Sequence, residues 1–127
     1  MTDLKGLDPT KPELAILKLL WKHRSLNARD IHGAIENEFG WSYSTVRTVL
    51  ERMADKGLIS KTPVDGVNVY EPQVGKVALL SRMIADFSTR VLELDTAPSA
   101  AFFAESKLLS DRELEELEDV LRKSENE

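Results

Sequence analysis

Only three residues, Gly40-Trp41-Ser42, separate two stretches that read as amphipathic helices, and no other feature constrains the fold as tightly. Glycine is the usual residue just past a helix end, and serine is a favoured N-cap. Before this joint, Asn27 and Asp30 read as a cap pair for a helix with Ile31, Ala34 and Ile35 on its apolar side, closing at Phe39. After it, Val46, Val49, Leu50 and Met53 form a buried stripe, and Lys56-Gly57 gives a basic last turn followed by glycine. Two helices joined this closely are the pattern of a helix-turn-helix.

The flanking segments extend that pattern. Residues 1–10, with Gly6 and Pro9, read as an irregular lead-in. Thr10 and Glu13 have capping-box spacing, and Pro12 is tolerated in a first turn. Leu14, Leu17, Leu20 and Trp21 follow at helical spacing, with Trp21 read as core, until Arg24-Ser25-Leu26 breaks the run. Residues 58–62 read as a strand, Val64-Asp65-Gly66 as a turn with Asp-Gly as the hairpin signal, and residues 67–70 as the returning strand before Pro72. Three helices and one hairpin, in that order, predict a winged helix-turn-helix over residues 7–74.

From residue 75 the pattern changes. Val77, Leu80, Ile84, Phe87, Val91 and Leu92 predict one long helix over roughly 76–94, interrupted by Asp95-Thr96-Ala97-Pro98. Ser99 is placed to cap a short helix carrying Ala100, Phe102, Phe103 and Leu108. Ser110 and Glu113 form a capping box for a last helix, with Leu114, Leu117, Val120 and Leu121 inward and Glu115, Glu116 and Glu118 outward. Short helices with one apolar side need a surface to cover. A second copy of the chain supplies one, so residues 75–123 are predicted to form a helical dimerisation region through Leu80, Ile84, Phe87, Val91, Phe102, Phe103, Leu114, Leu117 and Leu121. The alternative is that these helices fold back on their own winged domain. The fold class is mainly α.

The net charge of −5 is unevenly placed. Residues 1–74 hold ten Lys/Arg and ten Asp/Glu, whereas residues 75–127 hold seven against twelve, so the acidity belongs to the C-terminal part. Residues 40–62 carry Arg47, Arg52, Lys56 and Lys61 against Glu51 and Asp55. A local field governs docking more than a total does.

With Ser42 as cap, the helix over residues 43–56 exposes Tyr43, Ser44, Arg47 and Thr48, with Glu51 and Arg52 beyond. This face is predicted to enter the major groove of double-stranded DNA. Ser44, Arg47 and Thr48 are the candidate base contacts, Arg47 for a guanine edge and Thr48 for a base edge or a thymine methyl. Tyr43, Thr45, Arg29, Arg52, Lys56, Lys61 and Asn68 are the candidate phosphate contacts. The hairpin tip, Asp65-Gly66-Val67-Asn68, has no basic residue, so Asn68 and Lys61 must do the work of a wing arginine. The same face also fits a second reading, a winged helix used as a protein-interaction module without sequence-specific DNA binding.

Other chemistries find little support. Without cysteine there is no disulfide, thiol nucleophile or thiolate metal site, which fits a cytoplasmic protein. His23 and His32 have no nucleophile or paired carboxylate at a motif spacing and read as core, cap or surface residues. Neither standard glycine-rich phosphate loop occurs, and the glutamates after Ser110 read as a solvated helix face. No catalytic residue, metal site or cofactor is predicted. No signal pattern or membrane-length apolar run is present, so no membrane insertion is expected.

Over about residues 7–122 the chain resembles the penicillinase and methicillin-resistance repressors of the BlaI/MecI type, a family with copper-responsive, CopY-like members. The resemblance rests on residues 13–21 (ELAILKLLW), on Ala28-Arg29-Asp30-Ile31 and above all on residues 41–53 (WSYSTVRTVLERM). Lys56-Gly57-Leu58, Tyr70-Glu71-Pro72 and residues 110–117 (SDRELEEL) agree as well. It implies a homodimeric transcriptional repressor on an operator with dyad symmetry, with winged domains on the DNA and C-terminal helices holding the dimer. It also implies a regulatory protease as partner, cutting in the dimerisation region near Ala101 and Phe102. Residues 94–99 lack the phenylalanine- and glycine-rich turn common there, and the missing cysteines depart from the copper-sensing branch.

Overall fold

The computed structural model describes residues 8–125, so residue 7, the expected start of the first domain, lies outside the described residues. The chain divides into two compact units at the Val74–Gly75 peptide, where the composition also shifts.

The first unit contains α1 (Lys11–His23), β1 (Leu26–Asn27), α2 (Ala28–Phe39), α3 (Tyr43–Asp55), β2 (Ile59–Val64) and β3 (Val67–Pro72). Its helix starts are set by side-chain caps. Thr10 and Glu13 form the expected capping box on α1. The Asn27 side chain accepts from the Asp30 N–H on α2, and Ser42 accepts from the Thr45 N–H on α3. α3 ends in a Schellman motif: Gly57, at φ 84°, donates to the Ala54 carbonyl and Leu58 to the Met53 carbonyl. The hairpin turn is the two-residue pair Asp65-Gly66, both at positive φ, the geometry of a type I′ turn.

The sheet has three antiparallel strands in the order β1-β3-β2, rather than the predicted hairpin alone. Leu26 and Asn27 pair with Tyr70 and Val69, which places β3 at the centre. β2 runs beyond the predicted residue 62 to Val64 and takes in Pro63, which an edge strand accommodates because its outer face needs no N–H donor.

Ile16, Leu17, Leu20, Ile31, Ile35, Val46, Leu50, Met53, Leu58, Ile59 and Tyr70 are buried in this unit. Compared with the predicted stripes, Ile16 and Ala28 are added, Leu14 and Val49 are half-buried, and Ala34 is exposed. Trp21 is half-buried, and its Nε1 donates to the Val74 carbonyl at 3.0 Å. Trp21, expected in the core, is thus a partly exposed tether for the chain as it leaves β3.

The second unit contains α4 (Lys76–Asp86), a π-helical turn (Phe87–Val91), a 3-10 turn (Ala100–Phe103) and α5 (Asp111–Glu125). The single helix expected over 76–94 is therefore shorter. The Thr89 hydroxyl donates to the carbonyls of Ala85 and Asp86, drawing on acceptors of the helical ladder. Leu92 then donates five residues back to Phe87, Leu94 donates to the Ser88 carbonyl, and Glu93 between them takes a left-handed φ of 55°. Ser99 caps the next segment, but that segment is one 3-10 turn that ends before Leu108. The capping box of Ser110 and Glu113 forms as expected. Ala100, Leu117 and Leu121 make a small core, with Val77, Ile84, Ala97, Phe103 and Leu109 packed on it. Among the described residues no helix is long and apolar enough to cross a membrane.

Candidate nucleic-acid interface

The joint between α2 and α3 is held from both sides. Gly40 takes the left-handed conformation at φ 64°, and its N–H donates to the Glu36 carbonyl. Trp41 packs on Phe39 with ring centres 5.3 Å apart. His32 Nε2 donates to the Trp41 carbonyl at 2.9 Å, and its ring meets Tyr43 edge-on at 6.0 Å. This bracing role for His32 carries no periodic signal in the sequence.

Val46, Leu50 and Met53 anchor one side of α3, leaving Tyr43, Ser44, Thr45, Arg47 and Thr48 exposed. The Ser42 cap occupies the Thr45 N–H, so the free first-turn donors are those of Tyr43 and Ser44. The Thr48 hydroxyl donates to the Ser44 carbonyl at 3.1 Å. Its proton is thereby committed, leaving an oxygen that accepts and a methyl group that fits a thymine methyl.

Arg29, Tyr43, Arg47 and Asn68 come together, although they lie on three different elements. The Arg29 guanidinium lies 5.4 Å from the Tyr43 ring centre and that of Arg47 lies 6.0 Å away, both within cation–π range. Between them and the hairpin is a cleft of about 370 Å³, lined also by Asn27, Ala28, Gly66, Val67 and Tyr70. Burial first, then the Glu51 charge, push the Tyr70 phenol up, so it stays neutral and keeps its O–H.

The lysines are differently placed. Lys56 Nζ is 2.7 Å from Glu13 Oε2, joining the end of α3 to the start of α1. Lys61 on β2 pairs with Glu51 at 3.2 Å. Both phosphate candidates are thus partly neutralised within the unit. Arg52 is exposed on α3, away from the cleft lining. Glu13 and Glu51 were missed as partners because pairings 43 and 10 residues apart leave no mark on periodicity.

In the second unit, Phe87, Val91 and Phe102 are exposed, Phe102 at 80%. Leu80, Ile84, Phe103 and Leu114 are half-buried. Leu117 and Leu121, expected at an interface, instead fill the unit's own core at 0% and 4% exposure. An apolar groove of about 460 Å³ runs along Leu80, Met83, Ile84, Phe87, Leu92, Pro98 and Phe103.

The penicillinase repressor family model matches residues 9–123, nearly the whole chain. The chain belongs to the penicillinase repressor family. A relative within that family, the penicillinase repressor of Bacillus licheniformis, is 27% identical over 114 residues, 90% of this chain and 89% of the relative. The methicillin resistance regulatory protein MecI of Mammaliicoccus sciuri is 25% identical over 121 residues, 95% and 98% of the two chains. Among solved structures, the DNA-binding domain of the repressor BlaI superposes with a TM-score of 0.50 and 28% identity, covering 60% of this chain and 90% of that domain. The first unit is a winged helix of that type.

Proposed function

We propose that the chain is a homodimeric transcriptional repressor that binds double-stranded operator DNA of dyad symmetry through α3. The observation that carries this reading is the exposed polar face of α3 and its arginine-lined cleft, in a chain similar over nearly its full length to proteins named as repressors. The BlaI structure similar to the first unit is described as a DNA-binding domain, which supports α3 as the groove-entering helix. Ser44, Arg47 and Thr48 are the side chains offered to base edges, while the other cations around them meet the backbone. Two α3 helices on successive half-sites occlude the promoter, and the protein acts in the cytoplasm by binding, without catalysis or cofactor.

Dimerisation is assigned to the second unit, where Phe87, Val91 and Phe102 and the adjoining groove supply apolar surface. Linking two recognition helices raises the effective concentration of the second once the first is bound. Release by a regulatory protease at Ala101-Phe102 is supported by the exposure of Phe102 on a single 3-10 turn. Phe102 cannot be covered by a partner and open to a protease together, so cutting requires the dimer to open there.

Selection of binding sites from random duplexes by the purified chain, at fixed salt, tests the reading. The expected product is two inverted half-sites about 10 base pairs apart, centre to centre, or a multiple of that. Unpaired half-sites would count against the dimer. Failure to enrich any motif would sink the operator reading and favour the protein-interaction module.

A further inference from the structure

The cleft beside Tyr43 suits a ligand other than a base edge. At about 100° per residue, Ser44 and Thr48 point almost directly away from Val46, Leu50 and Met53. Arg47 leaves α3 on the flank between those two faces, on the Tyr43 side, with its guanidinium against that ring. Arg29 reaches the same ring from α2. The hairpin closes the far wall with Gly66, Val67 and Asn68.

The charge in this cleft is unbalanced. Its lining holds two guanidinium groups and no carboxylate. Elsewhere in the same unit Lys56 and Lys61 are each matched by a glutamate, whereas neither Arg29 nor Arg47 has an ion pair among the described residues. Two like charges on one ring repel unless an anion joins them. Guanidinium forks match phosphate oxygens in geometry as well as charge.

We propose that this cleft seats one phosphodiester of the DNA backbone, gripped jointly by Arg29 and Arg47, with the Tyr43 ring holding the two forks in place. Arg47 is then a backbone anchor rather than the reader of guanine expected from the sequence, and base discrimination falls to Ser44 and Thr48. This assignment rests on the DNA-binding reading above and refines it.

The test uses the full chain and a selected duplex, with affinity read by fluorescence anisotropy over a salt series. Arg29→Ala and Arg47→Ala are each expected to weaken binding about tenfold and to lower the slope of log K against log salt by about one. Neither changes the ranking of a panel of singly base-substituted duplexes. Arg47→Lys, which keeps the charge, preserves the slope. In a scan replacing single phosphates by neutral methylphosphonates, one position abolishes the further effect of both alanine variants. The assignment is overturned if Arg47→Ala flattens discrimination at one base pair, or if the two arginines map to different phosphates. A wild-type chain that shows no duplex binding overturns the DNA reading itself, whereas normal selectivity in the wild type with flattened discrimination in Arg47→Ala overturns this assignment alone. Unchanged thermal unfolding of the variants confirms that these outcomes report on contacts and not on folding.

Discussion

The two units solve the same packing problem with different success. Among the described residues, the first buries twelve apolar side chains almost completely and the second buries four. Of the nine large apolar side chains left exposed, six belong to the second unit: Phe87, Val91, Leu92, Leu94, Phe102 and Val120. The first unit has a sheet against which its helices close, whereas the second has helices alone. A winged domain can therefore be complete by itself, while the C-terminal helices leave apolar surface uncovered. The acidic surplus lies on that second unit, which leaves the surface around α3 comparatively favourable to polyanions.

Cavity mutations test this contrast most strongly. Leu50→Ala, at a fully buried site of the first unit, is expected to cost roughly 3–5 kcal/mol in urea unfolding. Leu117→Ala, in the smaller core, should fall nearer about 2–3 kcal/mol, and equal losses would break the comparison. Next comes the unfilled surface. Phe87→Asp together with Val91→Asp should leave the helical circular dichroism of the chain intact while raising the dissociation constant of the proposed dimer at least about tenfold, read by sedimentation. An unchanged constant would remove this surface from the interface.

A smaller effect comes from acid. Burial raises the pKa of Glu13, but the hydrogen bond from Lys56 and those from Thr10 outweigh it and hold the carboxyl below its usual value. The same balance, with Ser110 and Lys76, lowers Glu113 in the second unit. A depressed folded-state pKa stabilises above the unfolded value and is lost as pH falls through the folded one. Stability should therefore drop from about pH 4.5 downward, and Glu13→Gln, costing about 1–2 kcal/mol at neutral pH, should flatten that decline in the first unit. An acid profile identical to wild type would refute the linkage. The smallest expected change is at the caps. Ser42→Ala and Ser110→Ala should each cost about 1 kcal/mol in thermal unfolding, because each serine holds one first-turn N–H.

Local features of the fold were legible because their causes are local. Thr10, Asn27, Ser42, Ser99 and Ser110 each cap the helical segment that starts beside them, and Asp65-Gly66 turns where a type I′ turn needs two positive φ angles. β1 escaped because two residues carry no alternation, and it exists through β3, more than forty residues later. The end of α4 escaped because a hydroxyl competing for carbonyls is invisible to a count of apolar positions. The exposed face of α3 followed from its stripe of Val46, Leu50 and Met53. The convergence of Arg29, Tyr43, Arg47 and Asn68 depends on the crossing of α2 and α3 and on the path of the hairpin, which a linear pattern does not encode.

The braced joint at Gly40-Trp41-Ser42 has a mechanical consequence. At about 1.5 Å per residue, α3 is a lever roughly 20 Å long. A tilt of about 5° at its base would carry Thr48, roughly 8 Å along, about 0.7 Å sideways, outside the few tenths of an ångström over which a hydrogen bond keeps its strength. The ring of Phe39 and the imidazole of His32 act at the fulcrum, where small displacements are magnified. The aim of those first turns is therefore set in part by groups that need never touch what the helix reaches.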